Sequence, residues 1–162
     1  MYSIDVDKDI VVGIKEVDVD LIIPHEEVLI DKKEILKNNL KYKKENLDDI
    51  IISTILICST SNVIIDGHHR YAALKELGYK KIPVTLINYF SDNIWIMDSE
   101  NNMKNSYLKE DVIMNATKGN LYEPKSTKHF IFCNKLKGWY PIILVSSLYD
   151  LSLSLPYEHP LL

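Results

Sequence analysis

Chemistry concentrates first at Asp66-Gly67-His68-His69-Arg70, five consecutive residues that include two histidines, an arginine and an aspartate. Val63 to Ile65 before them is a β-branched run suited to a buried strand. Asp66-Gly67 breaks that run, and Gly67 is free to take backbone angles that other residues avoid. From about His69 to Leu77 the pattern is helical. Ala72, Ala73, Leu74 and Leu77 make an apolar face, Lys75 lies in the last turn, and Gly78 sits just past the end. The polar residues thus fall at a helix N-terminus, where unpaired backbone N–H groups favour an anion. Arg70 adds a fork that matches phosphate oxygens. Asp66 could hold Mg2+ or orient a histidine. Phosphate handling is the chemistry this corner suits; the plain alternative is a solvated polar turn.

Two further clusters follow element ends. His25-Glu26-Glu27 comes directly after Pro24, which disfavours helix for Ile23 and turns the chain. A carboxylate at such a strand end can serve as a general base if it lies beside a phosphate loop, and is otherwise an exposed acidic turn. Tyr122-Glu123-Pro124-Lys125-Ser126-Thr127-Lys128-His129 reads as a loop that brings two hydroxyls, two lysines and a histidine together after a proline. It can offer several donors to an anion, or it is a basic surface loop.

The residues Asp66-Gly67-His68-His69-Arg70, with Tyr71-Ala72-Ala73-Leu74 after them and Lys81-Ile82-Pro83-Val84 further on, resemble the ParB/sulfiredoxin superfamily. In detail they resemble its free serine kinases. Pro24-His25-Glu26 is similar to a Pro/Leu-His-Glu motif of those kinases, and Pro124 to His129 to their Pro-Pro-Lys-Thr-Thr-Arg-His segment. Lys128 stands where the family usually has arginine, which removes a bidentate donor, and Ser126 where it usually has threonine. The resemblance implies an α+β, ParB/sulfiredoxin-like mixed sheet with flanking helices and a phosphate-binding loop at a helix N-terminus. One domain over residues 1–162 is expected. The implied reaction moves a phosphoryl group from ATP or ADP to the hydroxyl of free L-serine, giving O-phospho-L-serine, with Mg2+ as cofactor. In it Gly67, His68, His69 and Arg70 hold the donor's phosphates. Glu26 is the base, with Glu27 as the lesser candidate. Asp66 positions the metal or the acceptor, and His69 assists. Thr127, Lys128, His129 and Trp95 are the candidates for binding serine or the moving phosphoryl group. A role in cysteine biosynthesis is a further implication of the family.

Two rivals share the fold. A ParB-like nucleotide switch associated with DNA would need a separate DNA module, and no helix-turn-helix pattern or basic excess is seen. Sulfiredoxin chemistry needs a cysteine in the loop, and His68 stands there.

The elements that must position these groups are expected as follows. Ile10 to Ile14 is a short strand, and Val17 to Leu21 alternates as a half-exposed strand. Asp31-Lys32-Lys33-Glu34 has the form of a capping box opening a helix from about Lys32 to Leu40, with Ile35, Leu36 and Leu40 inward. Lys41 to Asp49 is then a charged loop. Ile50 to Ile57 reads as one long strand, and Ser59 to Asn62 as the turn of a hairpin that delivers Asp66. Lys81 to Ile87 is a strand, and Pro83 suggests that its start is an edge. Ile94 to Met97 is a short strand, with Trp95 either in the core or walling a pocket. Leu108, Val112, Ile113 and Ala116 recur at helical spacing up to Gly119. Pro141 to Val145 and Leu151 to Leu155 are strand candidates, and Pro156 to Leu162 an irregular end.

The chain has 162 residues, 46% of them hydrophobic and 26% charged, an ordinary balance for one globular domain. Its net charge of −4 argues against a general nucleic-acid binder. Cys58 and Cys133 form no metal-ligand spacing. The apolar runs fall short of a membrane span and no signal peptide is visible, so a cytoplasmic location is expected.

Overall fold

The computed structural model describes residues 9–98 and 108–153. Nine strands, β1 (Val11–Asp18), β2 (Ile51–Ser53), β3 (Ile55–Cys58), β4 (Ile64–Asp66), β5 (Lys81–Ile87), β6 (Ile94–Asp98), β7 (Thr127–Cys133), β8 (Gly138–Pro141) and β9 (Leu148–Asp150), are described, with three α-helices, α1 (Ile30–Glu45), α2 (His68–Glu76) and α3 (Lys109–Thr117). They form a four-stranded sheet in the order β1-β5-β3-β4, a three-stranded sheet β6-β7-β8 and the pair β2-β9. The four-stranded sheet is mixed: β3 runs parallel to β5 and antiparallel to β4, and β1 is antiparallel to β5.

Both faces of the four-stranded sheet are covered, which explains the unbroken apolar run of β3. Ile55 and Ile57 pack on one side with Ile64, Leu74, Ile82 and Val84. Leu56 and Cys58 pack on the other with Ile65, Tyr89, Ile94 and Ile131. The strand's period of two thus feeds two cores. α2 covers the first face, and the three-stranded sheet lies over the second together with α3 residues Val112 and Ala116.

Several expectations are corrected. The two short strands expected near the start are one strand, β1, and Val19–Leu21 is a 3-10 turn rather than its continuation. The run Ile50 to Ile57 is two strands, because Thr54 leaves the ladder. Its N–H donates to Ser147 O at 2.8 Å, and its hydroxyl accepts from Ser147 N at 2.9 Å. The start of β5 is an open edge, as Pro83 suggests, although the strand is interior to the sheet: its parallel pairing with β3 begins only at Val84, one residue past the ring. α1 starts at Ile30 without a side-chain cap, so Asp31 lies in its first turn and closes no capping box. The helix runs on through the expected charged loop to Glu45, since Lys, Tyr and Glu are adequate helix formers and nothing breaks it sooner. Ile35 is 68% exposed rather than inward, whereas Leu40 packs against the core.

The expected loop up to His129 ends sooner, because Thr127, Lys128 and His129 open β7. The strand Pro141 to Val145 is instead the end of β8 followed by a 3-10 turn, Ile142–Val145. Ile142 and Val145 are both buried, and their spacing of three suits that tighter helix. Leu151–Leu153 is likewise a 3-10 turn after β9. The rest of that expected strand, with Pro156 to Leu162, lies outside the described residues. The ends of α2 and α3 follow expectation. Gly78 (φ +89°) and Gly119 (φ +78°) each follow a helix in the left-handed region.

Candidate active site

A cavity of about 590 Å3 opens between the start of α2 and the β7–β8 half of the molecule. That volume suits a nucleotide-sized ligand. Glu26, Asp66 to Arg70 and Lys125, Thr127, Lys128 and His129 all line it, so the fold unites the three clusters that the sequence keeps apart. Trp95 does not line it. Its indole is 37% exposed on the outer face of β6 and lies 6.2 Å, ring centre to ring centre, from Trp139. Trp95 is therefore neither in the core nor at this cavity.

The segment from Ile23 to Glu27 stitches the site together. Ile23 bridges Val63, and Glu26 bridges Tyr122, each as a parallel pair. His68 fixes the same segment from below. Its Nε2 accepts the backbone N–H of His25 at 3.0 Å and of Glu26 at 3.2 Å. That nitrogen therefore carries no hydrogen. Burial, with His25 and His129 nearby, holds the His68 pKa well below its ordinary value, in keeping with a neutral acceptor. His69 plays a matching part at the surface, where its Nε2 accepts the N–H of Leu29 at 2.9 Å, one residue before α1.

Glu26 is only 8% exposed, and its carboxylate is fully engaged. Oε1 accepts the Lys125 backbone N–H at 2.8 Å, and Oε2 accepts the Thr127 N–H at 3.3 Å and the Thr127 hydroxyl. His25 Nε2 lies 3.4 Å from Oε2 and 3.0 Å from the Thr127 hydroxyl oxygen, while its Nδ1 faces Ile64 O at 2.6 Å. Burial alone would raise the Glu26 pKa, but the bonds from His25, Thr127 and Lys125 outweigh it and leave the carboxyl below its ordinary range. The group is an anion held ready by donors.

Gly67 turns β4 into α2 at φ +108°, a conformation that disfavours a side chain. Arg70 then folds back across it. Its Nη2 donates to Thr54 O at 3.2 Å and lies 3.7 Å from Asp66 Oδ2, while its Nε is buried without a partner. Such an orphaned donor at a cavity wall is what a bound anion would satisfy. The protein packed around Asp66 pushes its carboxyl above the ordinary value, and Arg70 pulls it partly back. On β7, His129 Nε2 lies 2.8 Å from the Tyr89 hydroxyl, and burial depresses the pKa of this histidine well below its ordinary value. Among the described residues no group of three or more His, Cys, Asp and Glu could hold a metal ion by itself.

Sequence reasoning singled out no role for His25 beyond its motif, for Tyr89 beneath His129, or for the Lys125 backbone. Only the histidine's place between Pro24 and Glu26 signalled any of them. Leu36, Phe130 and Pro141 also line the cavity, and nothing in their spacing announced it.

No family model matches the chain. An ATP-dependent L-serine kinase of Staphylothermus marinus is 37% identical over 111 residues, 64% of this chain and 43% of that protein. A ParB-like protein of Sulfolobus acidocaldarius is 35% identical over 75 residues, 46% of this chain and 35% of that protein. The chain thus spans less than half the length of these curated relatives. A solved structure of a free serine kinase in complex with AMP superposes with a TM-score of 0.59 at 17% identity, over 90% of this chain and 95% of that one. The fold is that of a free serine kinase. Among the described residues, no helix of this serine-kinase fold is long and apolar enough to cross a membrane.

Proposed function

We propose that this protein phosphorylates free L-serine, moving the terminal phosphoryl group of a nucleotide to the serine hydroxyl to give O-phospho-L-serine. One observation carries the reading: a buried, ionised carboxylate faces a cavity whose other wall is a helix N-terminus and an arginine with an unmet donor. Likeness to proteins named as L-serine kinases supports it.

In this reading the backbone at Gly67 and His68 and the side chains of His69 and Arg70 hold the donor's phosphates. Glu26 takes the proton as the serine oxygen attacks the terminal phosphorus. The bond from that phosphorus to the bridging oxygen breaks, and the shortened nucleotide leaves with the electron pair. Thr127, Lys128 and His129 contact serine or the phosphoryl group in flight. Most of the acceleration comes from positioning and fixed charge. A lone Asp66 carboxylate suits Mg2+ that arrives on phosphate oxygens, for that ion is commonly held by one or two carboxylates plus phosphate. When bound it would neutralise charge on the phosphates. The relatives named ATP-dependent make ATP the first donor to try, with ADP beside it. Work in a reducing cytoplasm, supplying phosphoserine to a cysteine-forming route, fits two buried cysteines that form no disulfide.

Phosphorus NMR of the protein with Mg2+ and L-serine, with ATP in one tube and ADP in another, tests the reading. A phosphoserine signal is expected, and the tube that shows it names the donor. Nucleotide binding without phosphoserine in either tube would favour the ParB-like switch instead, to which the Sulfolobus relative also points.

A further inference from the structure

Thr54 places a fully buried hydroxyl in the largely apolar run from Ile50 to Ile57. A polar group in that position costs stability unless its hydrogen bonds are met. They are met by two distant segments. The Thr54 hydroxyl lies 2.7 Å from that of Thr85, which is also fully buried, and it accepts the Ser147 N–H at 2.9 Å. The Thr54 N–H donates in turn to Ser147 O at 2.8 Å. Thr85 shares a face of β5 with Ile87, because side chains two apart point the same way, and Ile87 belongs to the core beneath the three-stranded sheet. Ser147 follows the Ile142–Val145 turn, of which Ile142 and Ile143 line the cavity.

The Thr54 carbonyl serves the other side of the sheet. It accepts from Arg70 Nη2 of α2 at 3.2 Å, closer than Asp66 Oδ2 at 3.7 Å. Arg70 lines the cavity, its Nε is the buried donor without a partner, and it is the single arginine of the chain. A guanidinium is a rigid plane, so holding Nη2 at one point restricts where the Nε–H is directed.

We propose that Thr54 is the positioning residue for Arg70: locked by Thr85 and Ser147, its carbonyl sets the guanidinium so that the Nε–H stays open to a phosphate oxygen of the bound nucleotide. The same lock ties the Arg70 wall of the cavity to the wall formed by Ile142 and Ile143. This rests on the phosphate-cavity reading above but not on serine being the acceptor.

The test uses the intact protein, labelled with nitrogen-15, and inorganic pyrophosphate as probe. With one arginine in the chain, its side-chain Nε–H gives a single arginine signal by NMR. Pyrophosphate should shift that signal in the parent. Thr54→Val keeps the shape and the carbonyl but loses the hydroxyl. The arginine signal should then move even without ligand, and pyrophosphate affinity by titration calorimetry should fall about fivefold, within the range of coupling between neighbouring groups. Thr54→Ser keeps the hydroxyl and should stay within about twofold of the parent. In an Arg70→Met background Thr54→Val should change affinity by less than about twofold, because the group it positions is gone. Ile82→Val removes a methyl group from the core of the same sheet, away from the cavity lining, and should leave the signal and the affinity as in the parent. Should Thr54→Val not fold, Thr85→Val is read in the same way, since it removes one bond of the lock and spares both bonds to Ser147. A parent-like arginine signal and affinity in these threonine variants, or an equal loss with and without Arg70, would overturn the positioning role. A parent that binds no pyrophosphate would overturn the phosphate reading together with it. Phosphoserine formation is assayed separately, so a protein that binds pyrophosphate through a Thr54-held arginine yet makes no phosphoserine would sink the acceptor and leave the positioning role standing.

Discussion

Glu26 is poised by what surrounds it rather than by its own type. Its charge is held by donors 99 and 101 residues further along the chain, at Lys125 and Thr127. Sequence could offer the residue types, Pro24-His25-Glu26, and a resemblance to suggest which carboxylate to watch. It could not offer the partners, because nothing local links a turn after β1 to the opening of β7. Glu27, the lesser candidate, has no part in lining the cavity. If Glu26 is the base, Glu26→Gln should lower kcat for phosphoserine formation by about 10²- to 10⁴-fold. Nucleotide affinity should stay near that of the parent, since the amide still accepts from Lys125 N. Assays of phosphoserine and of nucleotide binding on the same sample check both halves.

The junction of β4 and α2 shows what an element contributes beyond its residues. Val63 to Gly78 was largely legible, because a β-branched run, a glycine and a glycine-terminated helix each left a local mark. The core-facing side of α2 was less so. Ala72 and Leu77 are only partly buried, while His68 and Tyr71 take buried places beside Ala73 and Leu74. A histidine in the core breaks an apolar pattern, and for the same reason β7 was missed, with His129 among the buried residues of Thr127–Cys133. Gly67 gives the junction its most direct test. A Cβ there would lie 2.8 Å from Arg70 Nη2, on a backbone at φ +108°. Gly67→Ala should destabilise the fold by about 1–3 kcal/mol. It should also weaken phosphate binding, because Arg70 must move. Urea unfolding and pyrophosphate titration would measure the two effects, and unchanged values in both would count against the role given to this turn.

At the scale of the whole molecule, the cores of the four-stranded and three-stranded sheets meet through β3 and β4, with the Ile23–Glu27 segment sewn between them. In the four-stranded sheet β4 and β5 were readable, but β1 was expected as two strands and β3 as part of one run with β2. Of the β6-β7-β8 sheet β6 was readable, whereas the pairings there and of β2 with β9 depend on distant turns such as Ile142–Val145. The seam rests on neutral histidines, and that sets a pH dependence. Burial first, and the nearby histidines with Arg70 or Lys109 second, hold the pKa values of His68 and His129 well below their ordinary value in the folded state. The unfolded chain therefore takes up more protons as pH falls through 6.5, and their stabilising contribution is present above that pH and lost below it. Unfolding free energy should drop by up to about 1.4 kcal/mol per pH unit for each histidine on going from about pH 6.5 toward pH 5. Urea denaturation across that interval should show the slope, and His129→Gln should reduce it by about half.

The full occupation of Glu26 also bears on waste. A kinase with an open base beside a bound nucleotide will let water stand in for its alcohol and spend the donor on hydrolysis. Here the lone pairs that would activate a water molecule are covered by the hydroxyl and N–H of Thr127 and the N–H of Lys125. On the proposed mechanism only an acceptor with enough contacts of its own displaces that hydroxyl, and Glu26 is uncovered in step with acceptor binding. On the proposed mechanism, Thr127→Ala should raise nucleotide hydrolysis in the absence of serine relative to the parent, while lowering the yield of phosphoserine per nucleotide consumed. Inorganic phosphate and phosphoserine counted together would show whether the threonine keeps the two reactions apart.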